Sequence, residues 1–313
     1  MKQIRIATRA SKLALAQTEL VKAALERLRP QIEIAVVKTS TKGDRDKSDF
    51  LYKSDSVGLF TKEVEKAVLR CEADMAVQSL KDLPTMAGRE LPIVAVLKRE
   101  NPADVLVASS QVSSLDSLPA GATVGTSSLR RIAQLKHWRG DLRCVPMRGN
   151  VETRVRKVEA GRVDAVVVAY AGLKRLGLTE RISAILPLER FLPAPGQGAL
   201  AVQVWPDERE LTELVSQLGD EPTRIATEAE RTVLAAMHGG CSVPLGVHAE
   251  IIDKKIVIDA MIADIEGKRL TKRSRTAAVT EAKSCAEQLA KELLAAGAQQ
   301  ILDGIRNRTQ ADE

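Results

Sequence analysis

The sequence predicts an α/β fold in two units, followed by a small α+β domain at the C-terminal end. Three observations carry that expectation. Short apolar runs alternate with amphipathic segments from Ile4 to Val204, as strands feeding helices do. Two stretches, Lys98 to Ala103 and Pro193 to Gly198, interrupt the alternation with charged residues, prolines and glycines, and suit crossings between domains. From about Thr223 the order changes to one long helix, two strands and a final alanine-rich helix.

Each element has a local reason. Ile4 to Thr8 reads as a strand, and Ser11 as the N-cap of a helix to about Leu28 with Leu13, Leu20, Ala24 and Leu28 on one face. A strand at Ile32 to Val37 leads into a polar stretch, Thr39 to Val57. It is too long for an ordinary connection and reads as a lid over a site. A helix at Leu59 to Leu69 and a strand at Asp74 to Gln78 follow, the latter running into Ser79-Leu80-Lys81-Asp82-Leu83-Pro84. In the second unit, strands are expected at Thr123 to Gly125, Leu142 to Val145 and Ala165 to Ala169, with helices beginning near Ser128, Asn150 and Gly172. A strand follows at Ala199 to Val204; if it rejoins the first unit, two hinge strands link the domains and enclose a cleft. A helix at Thr223 to Met237, strands at Gly246 to Ile252 and Lys255 to Ala263, and a helix at Glu281 to Ala295 complete the chain. The domains are thus expected at residues 1–98 with 197–217, at 99–196 and at 218–313.

Composition narrows the function. The chain of 313 residues holds three Phe, two Tyr and two Trp, so its core must be aliphatic and base stacking has little to work with. The formal net charge is +6, with the arginines spread in short motifs rather than in one stripe. That favours a small polyanion over nucleic acid. Cys71, Cys144, Cys241 and Cys285 form no C-x-x-C pair, and His137, His238 and His248 have no metal-binding spacing, so no metal is expected. Met1-Lys2-Gln3-Ile4-Arg5 opens no apolar signal region, and no run approaches the ~18 apolar residues of a membrane span. We expect a cytoplasmic monomer without membrane or nucleic-acid partners.

Three constellations can carry chemistry. Cys241 sits in His238-Gly239-Gly240-Cys241-Ser242-Val243-Pro244, where flanking glycines and Val-Pro keep it out of regular structure. Such a thiol can serve as nucleophile or covalent anchor, or be an inert surface group. Cys71, Cys144 and Cys285 read as packing residues. Arginines follow expected strand ends: Arg9, Arg130 and Arg131 in Gly125-Thr126-Ser127-Ser128-Leu129-Arg130-Arg131, Arg148 in Arg148-Gly149-Asn150, Arg154 one turn on, and Arg175 in Ala171-Gly172-Leu173-Lys174-Arg175. Ligands of open α/β sheets sit at strand carboxyl ends, and converging guanidiniums suit a polycarboxylate. There is no G-x-x-x-x-G-K-[ST] loop. Asp82 also follows a strand; amid cations it stays ionised, fit to stabilise a cation or accept N–H bonds, or simply to pair with Lys81.

Taken together, these segments resemble the porphobilinogen deaminase (hydroxymethylbilane synthase) family. The matching runs are Arg5-Ile6-Ala7-Thr8-Arg9, Ser11 to Gln17, Thr41-Lys42-Gly43-Asp44, Gly58-Leu59-Phe60, Ser79 to Pro84, Gly125 to Arg131, Arg148-Gly149-Asn150, Ala171 to Leu178, Pro195 to Ala199 and Gly239 to Pro244, in family order across nearly the whole chain. The resemblance implies two periplasmic-binding-protein-like domains joined by hinge strands, plus the small third domain. It implies a dipyrromethane cofactor joined to Cys241 through a thioether, on which four porphobilinogens are added head to tail with loss of ammonia before water releases hydroxymethylbilane. By the same resemblance Asp82 is the catalytic carboxylate facing pyrrole N–H groups. Lys81, Ser128, Arg130 and Arg131 would then hold cofactor carboxylates. Arg9, Arg148, Arg154 and Arg175 would hold substrate or the growing chain, Ser11 and Gln17 would line the site, and Phe60 would pack nearby.

The chain departs from the family pattern at Gln78, where the family usually has His, and at Asp55-Ser56-Val57, where it usually has Gly-Gly-Lys. The expected lid is also more acidic, with Asp46, Asp49 and Asp55. Competing readings are a two-domain hinge protein that binds a small polycarboxylate without chemistry, a degenerate paralog that binds pyrroles without polymerising them, and a nucleic-acid-binding regulator.

Overall fold

A computed structural model describes residues 2–40, 61–85, 91–109, 111–237 and 243–311. In chain order the strands are β1 (Gln3–Arg9), β2 (Glu33–Thr39), β3 (Met75–Ser79), β4 (Ile93–Val96), β5 (Asp104–Ala108), β6 (Thr123–Gly125), β7 (Arg143–Val145), β8 (Ala165–Ala169), β9 (Ala184–Ile185), β10 (Leu200–Val204), β11 (Leu245–Ile252), β12 (Lys255–Ala263) and β13 (Leu270–Ala278). The helices are α1 (Lys12–Leu28), α2 (Lys62–Leu69), α3 (Leu129–Trp138), α4 (Val151–Glu159), α5 (Tyr170–Arg175), α6 (Arg209–Ser216), α7 (Glu221–Ala236), α8 (Ala282–Leu293) and α9 (Gln299–Ala311). The chain forms two compact units, one holding residues up to Glu100 and Gly198–Arg224, the other Asn101–Gln197 and Ile225 onward.

In the first unit five strands lie in the order β2-β1-β3-β10-β4. β1 runs parallel to β2 and β3, whereas β10 runs antiparallel to β3 and β4. β10 does therefore rejoin the first unit. All five of its residues are buried, which suits its apolar composition apart from Gln203. Ile4, Ile6, Val21, Leu25, Met75, Val202 and Leu214 share the core.

The second unit repeats this plan. Its first sheet has the order β7-β6-β8-β5-β9, with β6 parallel to β7 and β8, and β5 antiparallel to β8 and β9. In each sheet the lone reversed strand is the first one after a crossing, β5 after Asn101 and β10 after Gln197. The unit's other sheet is the antiparallel meander β11-β12-β13. Val233 of α7, Leu289 of α8 and Leu302 of α9 pack with Val247 and Ile258 in a core of its own.

Several expectations need correction. The buried face of α1 is Ala14, Gln17, Thr18, Val21 and Leu25, while Leu20 and Leu28 are exposed. The helix is turned by about one position because polar Gln17 and Thr18 face the sheet, which an apolar count overlooks. β13 is a further strand of the third sheet; its basic sequence, Leu-Thr-Lys-Arg-Ser-Arg-Thr-Ala-Ala, hides it because it is a largely solvent-facing edge. The helix expected at Glu281 to Ala295 is α8, and a further helix, α9, follows it beyond Gly297 at φ +107. Cys71 is exposed at φ 56 just after α2 rather than packed, while Cys285 is buried. Among the described residues no helix is long and apolar enough to cross a membrane.

Gly198, at the return crossing, has φ +92, and a Cβ there would lie 2.3 Å from the Glu100 carbonyl oxygen. Gly198→Ala should lower unfolding stability by at least about 1–3 kcal/mol, from backbone strain plus a clash with an unyielding carbonyl. A chemical-denaturation midpoint measures it.

Candidate functional site

In the first unit the carboxyl ends of parallel β1 and β3 meet the N-terminus of α1. The Ser11 hydroxyl accepts from the Ala14 N–H at 3.3 Å and so caps α1. Gln17, one turn on and buried, donates through Nε2 to Ser79 Oγ at 2.8 Å, pinning the helix to the last residue of β3. The chain then makes one 3₁₀ turn, Leu80–Asp82. It carries Lys81 and Asp82 past the strand end, both half-buried. A cavity at this point is lined by Arg9, Ser11, Gln17, Gln78, Ser79 and Asp82. The structure thus brings together four of the expected site residues of this unit. The Asp82 carboxylate makes no hydrogen bond or ion pair among the described residues, so it does not pair with Lys81 there.

In the second unit the loop after β6 turns into α3. Ser128 is the N-cap, its hydroxyl accepting from the Arg131 N–H at 3.5 Å. Ser127 Oγ accepts from the Met147 N–H at 2.9 Å, which ties this loop to the one after β7. The loops meet closely at Gly125, where a Cβ would lie 2.3 Å from the Met147 methyl and push that side chain aside. Asn150 caps α4 through Thr153 N–H, and Gly149 before it has φ +108. Arg154 Nε donates to the Gly149 carbonyl at 2.9 Å. Arg175 closes the short helix α5 that follows β8.

Arg130 and Arg131 converge on one carboxylate that carries no sequence signal as a site residue. Asp104 opens β5, is 0 % exposed, and accepts from Arg130 Nη1 at 2.7 Å and from Arg131 Nη2 at 2.7 Å. Gln197 Nε2 adds a third bond at 3.0 Å and also donates to the Pro102 carbonyl. Arg130 Nη1 further donates to the Leu192 carbonyl at 2.7 Å. Burial by itself would raise the Asp104 pKa, but the two guanidiniums outweigh it and hold the carboxyl well below the usual range. Arg130 Nη2 and Arg131 Nη1 take no part in these bonds.

Beside this triad lies uncompensated positive charge. Burial, then the charges of Arg131 and Arg148, push the Arg154 pKa down to about 10. No carboxylate pairs with Arg148 or Arg154 among the described residues, and Arg148 Nε is buried without a partner. A cationic cluster of this kind is relieved by an anion with several carboxylates.

Phe60, Cys241 and the expected lid residues 41–57 lie outside the described residues. Asp104, Gln197 and Gln203 are positions that sequence reading does not mark as site-forming, whereas Gln78 is marked there as a departure from the family's His. A lone carboxylate opening an apolar strand just after a crossing is the one available signal for Asp104.

Asp104→Ala would leave two buried guanidiniums unpaired and should cost about 3–5 kcal/mol of stability. The depressed Asp104 pKa adds stability that is present above about pH 4, the unfolded-chain value, and is lost as pH falls towards the folded value. Asp104→Asn should therefore be less stable at neutral pH yet lose less on acidification; denaturation midpoints from pH 7 to pH 3 test both.

The comparisons with known proteins agree in one direction. Residues 4–213 match the family model "Porphobilinogen deaminase, dipyromethane cofactor binding domain" and residues 225–295 match "Porphobilinogen deaminase, C-terminal domain". The chain is 43% identical over 305 residues to the porphobilinogen deaminase of Desulforudis audaxviator, covering 97% of this chain and 98% of that one. It is 44% identical over 305 residues to that of Pelotomaculum thermopropionicum, covering 97% of each. Among solved structures, the periplasmic aliphatic sulphonate binding protein SsuA from Escherichia coli is similar with a TM-score of 0.40 and 15% identity, over 76% of this chain and 71% of that one. With both family models matched in order and relatives alike end to end, the chain belongs to the porphobilinogen deaminase family.

Proposed function

We propose that the chain is a transferase, a hydroxymethylbilane synthase, that joins four porphobilinogens head to tail, releasing one ammonia at each addition, before water frees hydroxymethylbilane. The observation that carries this reading is the Asp82 carboxylate, unpaired among the described residues, in a cavity with Arg9, Ser11 and Gln17. Porphobilinogen bears two carboxylates, an aminomethyl group and a pyrrole N–H. When its carbon–nitrogen bond breaks, the electron pair leaves with ammonia and the ring becomes a cation. An ionised carboxylate held in a partly buried site stabilises that cation as it forms. Asp82 then accepts N–H bonds rather than attacking, and Arg9 answers a substrate carboxylate.

The donor set of the second unit fits a dipyrromethane. Arg148 and Arg154 lack carboxylate partners among the described residues, and the unused N–H groups of Arg130 and Arg131 are aimed by their bonds to Asp104. We take these four, with Ser128 and Lys81, as the residues that hold cofactor and substrate carboxylates, with Arg175 beside them. Bound to Cys241, the dipyrromethane would supply the pyrrole carbon that the first new ring joins. We also propose that residues 99–196 and 218–313 are separate domains, since each has its own sheet and core. A monomer in the cytoplasm belongs to the same proposal.

Intact mass under denaturing conditions tests the cofactor. An excess of two linked pyrrole units, absent from Cys241→Ser, is expected; a bare chain that stays bare with porphobilinogen favours the non-polymerising paralog. Asp82→Ala should lower kcat about 10²–10³-fold, the loss typical of one preorganised electrostatic group. Turnover equal to that of the unsubstituted chain would sink the role given to Asp82.

A further inference from the structure

Gln78 lines the cavity that holds Asp82, and a chain of buried amides sets the direction of its carbonyl oxygen. Gln203, in the middle of β10 and 2 % exposed, donates through Nε2 to Glu65 Oε1 at 2.9 Å and to the Leu91 carbonyl at 3.0 Å. A backbone carbonyl can only accept, so the amide of Gln203 has one permitted orientation. Its Oε1 must point the other way, where it meets Gln78 Nε2 at 2.9 Å. That contact fixes Gln78 in turn, because two amide oxygens cannot face each other without a proton between them. Gln78 Oε1 is consequently turned from Gln203. It has no hydrogen-bond partner among the described residues, and the residue lines the cavity with Asp82, Arg9 and Gln17.

We infer that Gln78 is a substrate-binding residue whose carbonyl oxygen accepts an N–H of the bound pyrrole or its aminomethyl group, with Gln203 as the positioning residue behind it. The inference rests on the functional reading above and deepens it. A cavity with a carboxylate and an oriented carbonyl on one side offers two acceptors to a ligand rich in N–H donors. The carbonyl adds this without a second negative charge beside Asp82. Orientation is the point of the relay: a free glutamine presents its NH₂ as readily as its oxygen, and that would repel the same ligand group.

The variants Gln78→Leu and Gln78→His, with side-chain amide signals of ¹⁵N-glutamine-labelled protein, test this. The Gln78 NH₂ signal, identified by its loss in Gln78→Leu, should be protected from solvent exchange and become unprotected in Gln203→Leu. With the acceptor removed, Gln78→Leu should raise KM for porphobilinogen about tenfold with a smaller change in kcat. A histidine at 78 can donate to Gln203 from one ring nitrogen and accept from the ligand at the other. Gln78→His should therefore restore KM above about pH 7.5 and lose it as the ring protonates near its usual pKa of about 6.5. Asp82 and Arg9 face this position from the cavity and Glu65 stands behind Gln203, yet all three are present in both chains, so the added pH dependence reports the ring. The bond to Gln203 survives protonation, which separates ligand contact from support of the fold. An unprotected Gln78 NH₂ overturns the orientation whatever the chain turns over. A KM unchanged in Gln78→Leu, or a Gln78→His profile parallel to that of the unsubstituted chain, overturns the ligand contact. If the unsubstituted chain consumes no porphobilinogen, the functional reading fails, and the amide signal still decides the orientation.

Discussion

The buried carboxylate of Asp104 is the point on which the second unit turns. It takes bonds from Arg130, Arg131 and Gln197 at once, and the two arginines and the glutamine belong to different parts of the chain's path. The arginines open α3, Gln197 ends the stretch before the return crossing, and Asp104 itself begins the strand after the outgoing one. A single ionised group at 0 % exposure cannot be left half-satisfied. Its three partners are therefore held together, and with them the carbonyls of Pro102 and Leu192. The arrangement is costly to assemble and poor as a general stabiliser, since apolar residues of the same volume would serve as well. What it does supply is direction. Two guanidiniums that would otherwise be long and mobile are fixed with their unused N–H groups aimed one way.

The first unit solves the opposite problem. Its cavity holds the Asp82 carboxylate without a hydrogen-bond or ion-pair partner among the described residues. Gln17 is committed to Ser79, and Ser11 to the end of α1. The amides of Gln78 and Gln203 are linked in a line that ends on Glu65 and Leu91. Both units therefore use buried polar chains, anchored away from the site, to control what a few exposed atoms present. The two sheets also share a plan in which the reversed strand lies beside the strand that ends at the site, β10 beside β3 and β5 beside β8. That neighbour supplies the anchor each time, Gln203 on β10 and Asp104 on β5.

Much of this was legible in the sequence, and the reason for each success or failure is physical. The caps Ser11, Ser128 and Asn150 fall where side-chain oxygens must meet orphan N–H groups, a constraint that acts over three residues and is visible locally. Arginines after strands were readable because parallel sheets put strand ends on one side. The bond from Arg130 to Asp104 spans 26 positions and that from Gln78 to Gln203 spans 125, and nothing local announces either. For the same reason the face of α1 was misjudged: Gln17 is buried for its bond to Ser79, 62 residues away, and apolar periodicity has no way to register it. β13 escaped notice because an exposed edge carries charge where a core strand would carry valine.

The distribution of satisfied and unsatisfied charge is the strongest internal argument for chemistry in these two regions. Folding alone favours pairing every buried ion, and the chain does so at Asp104. Arg148 and Arg154 depart from that rule together, and after burial the charges of Arg131 and Arg148 lower the affinity of Arg154 for its proton. Asp82 departs from it with the opposite sign. Such exceptions persist only where a ligand completes them, and the two exceptions ask for different things. The arginines ask for carboxylates, the aspartate for a cation or N–H donors. A carboxylated pyrrole that sheds ammonia carries groups of both kinds.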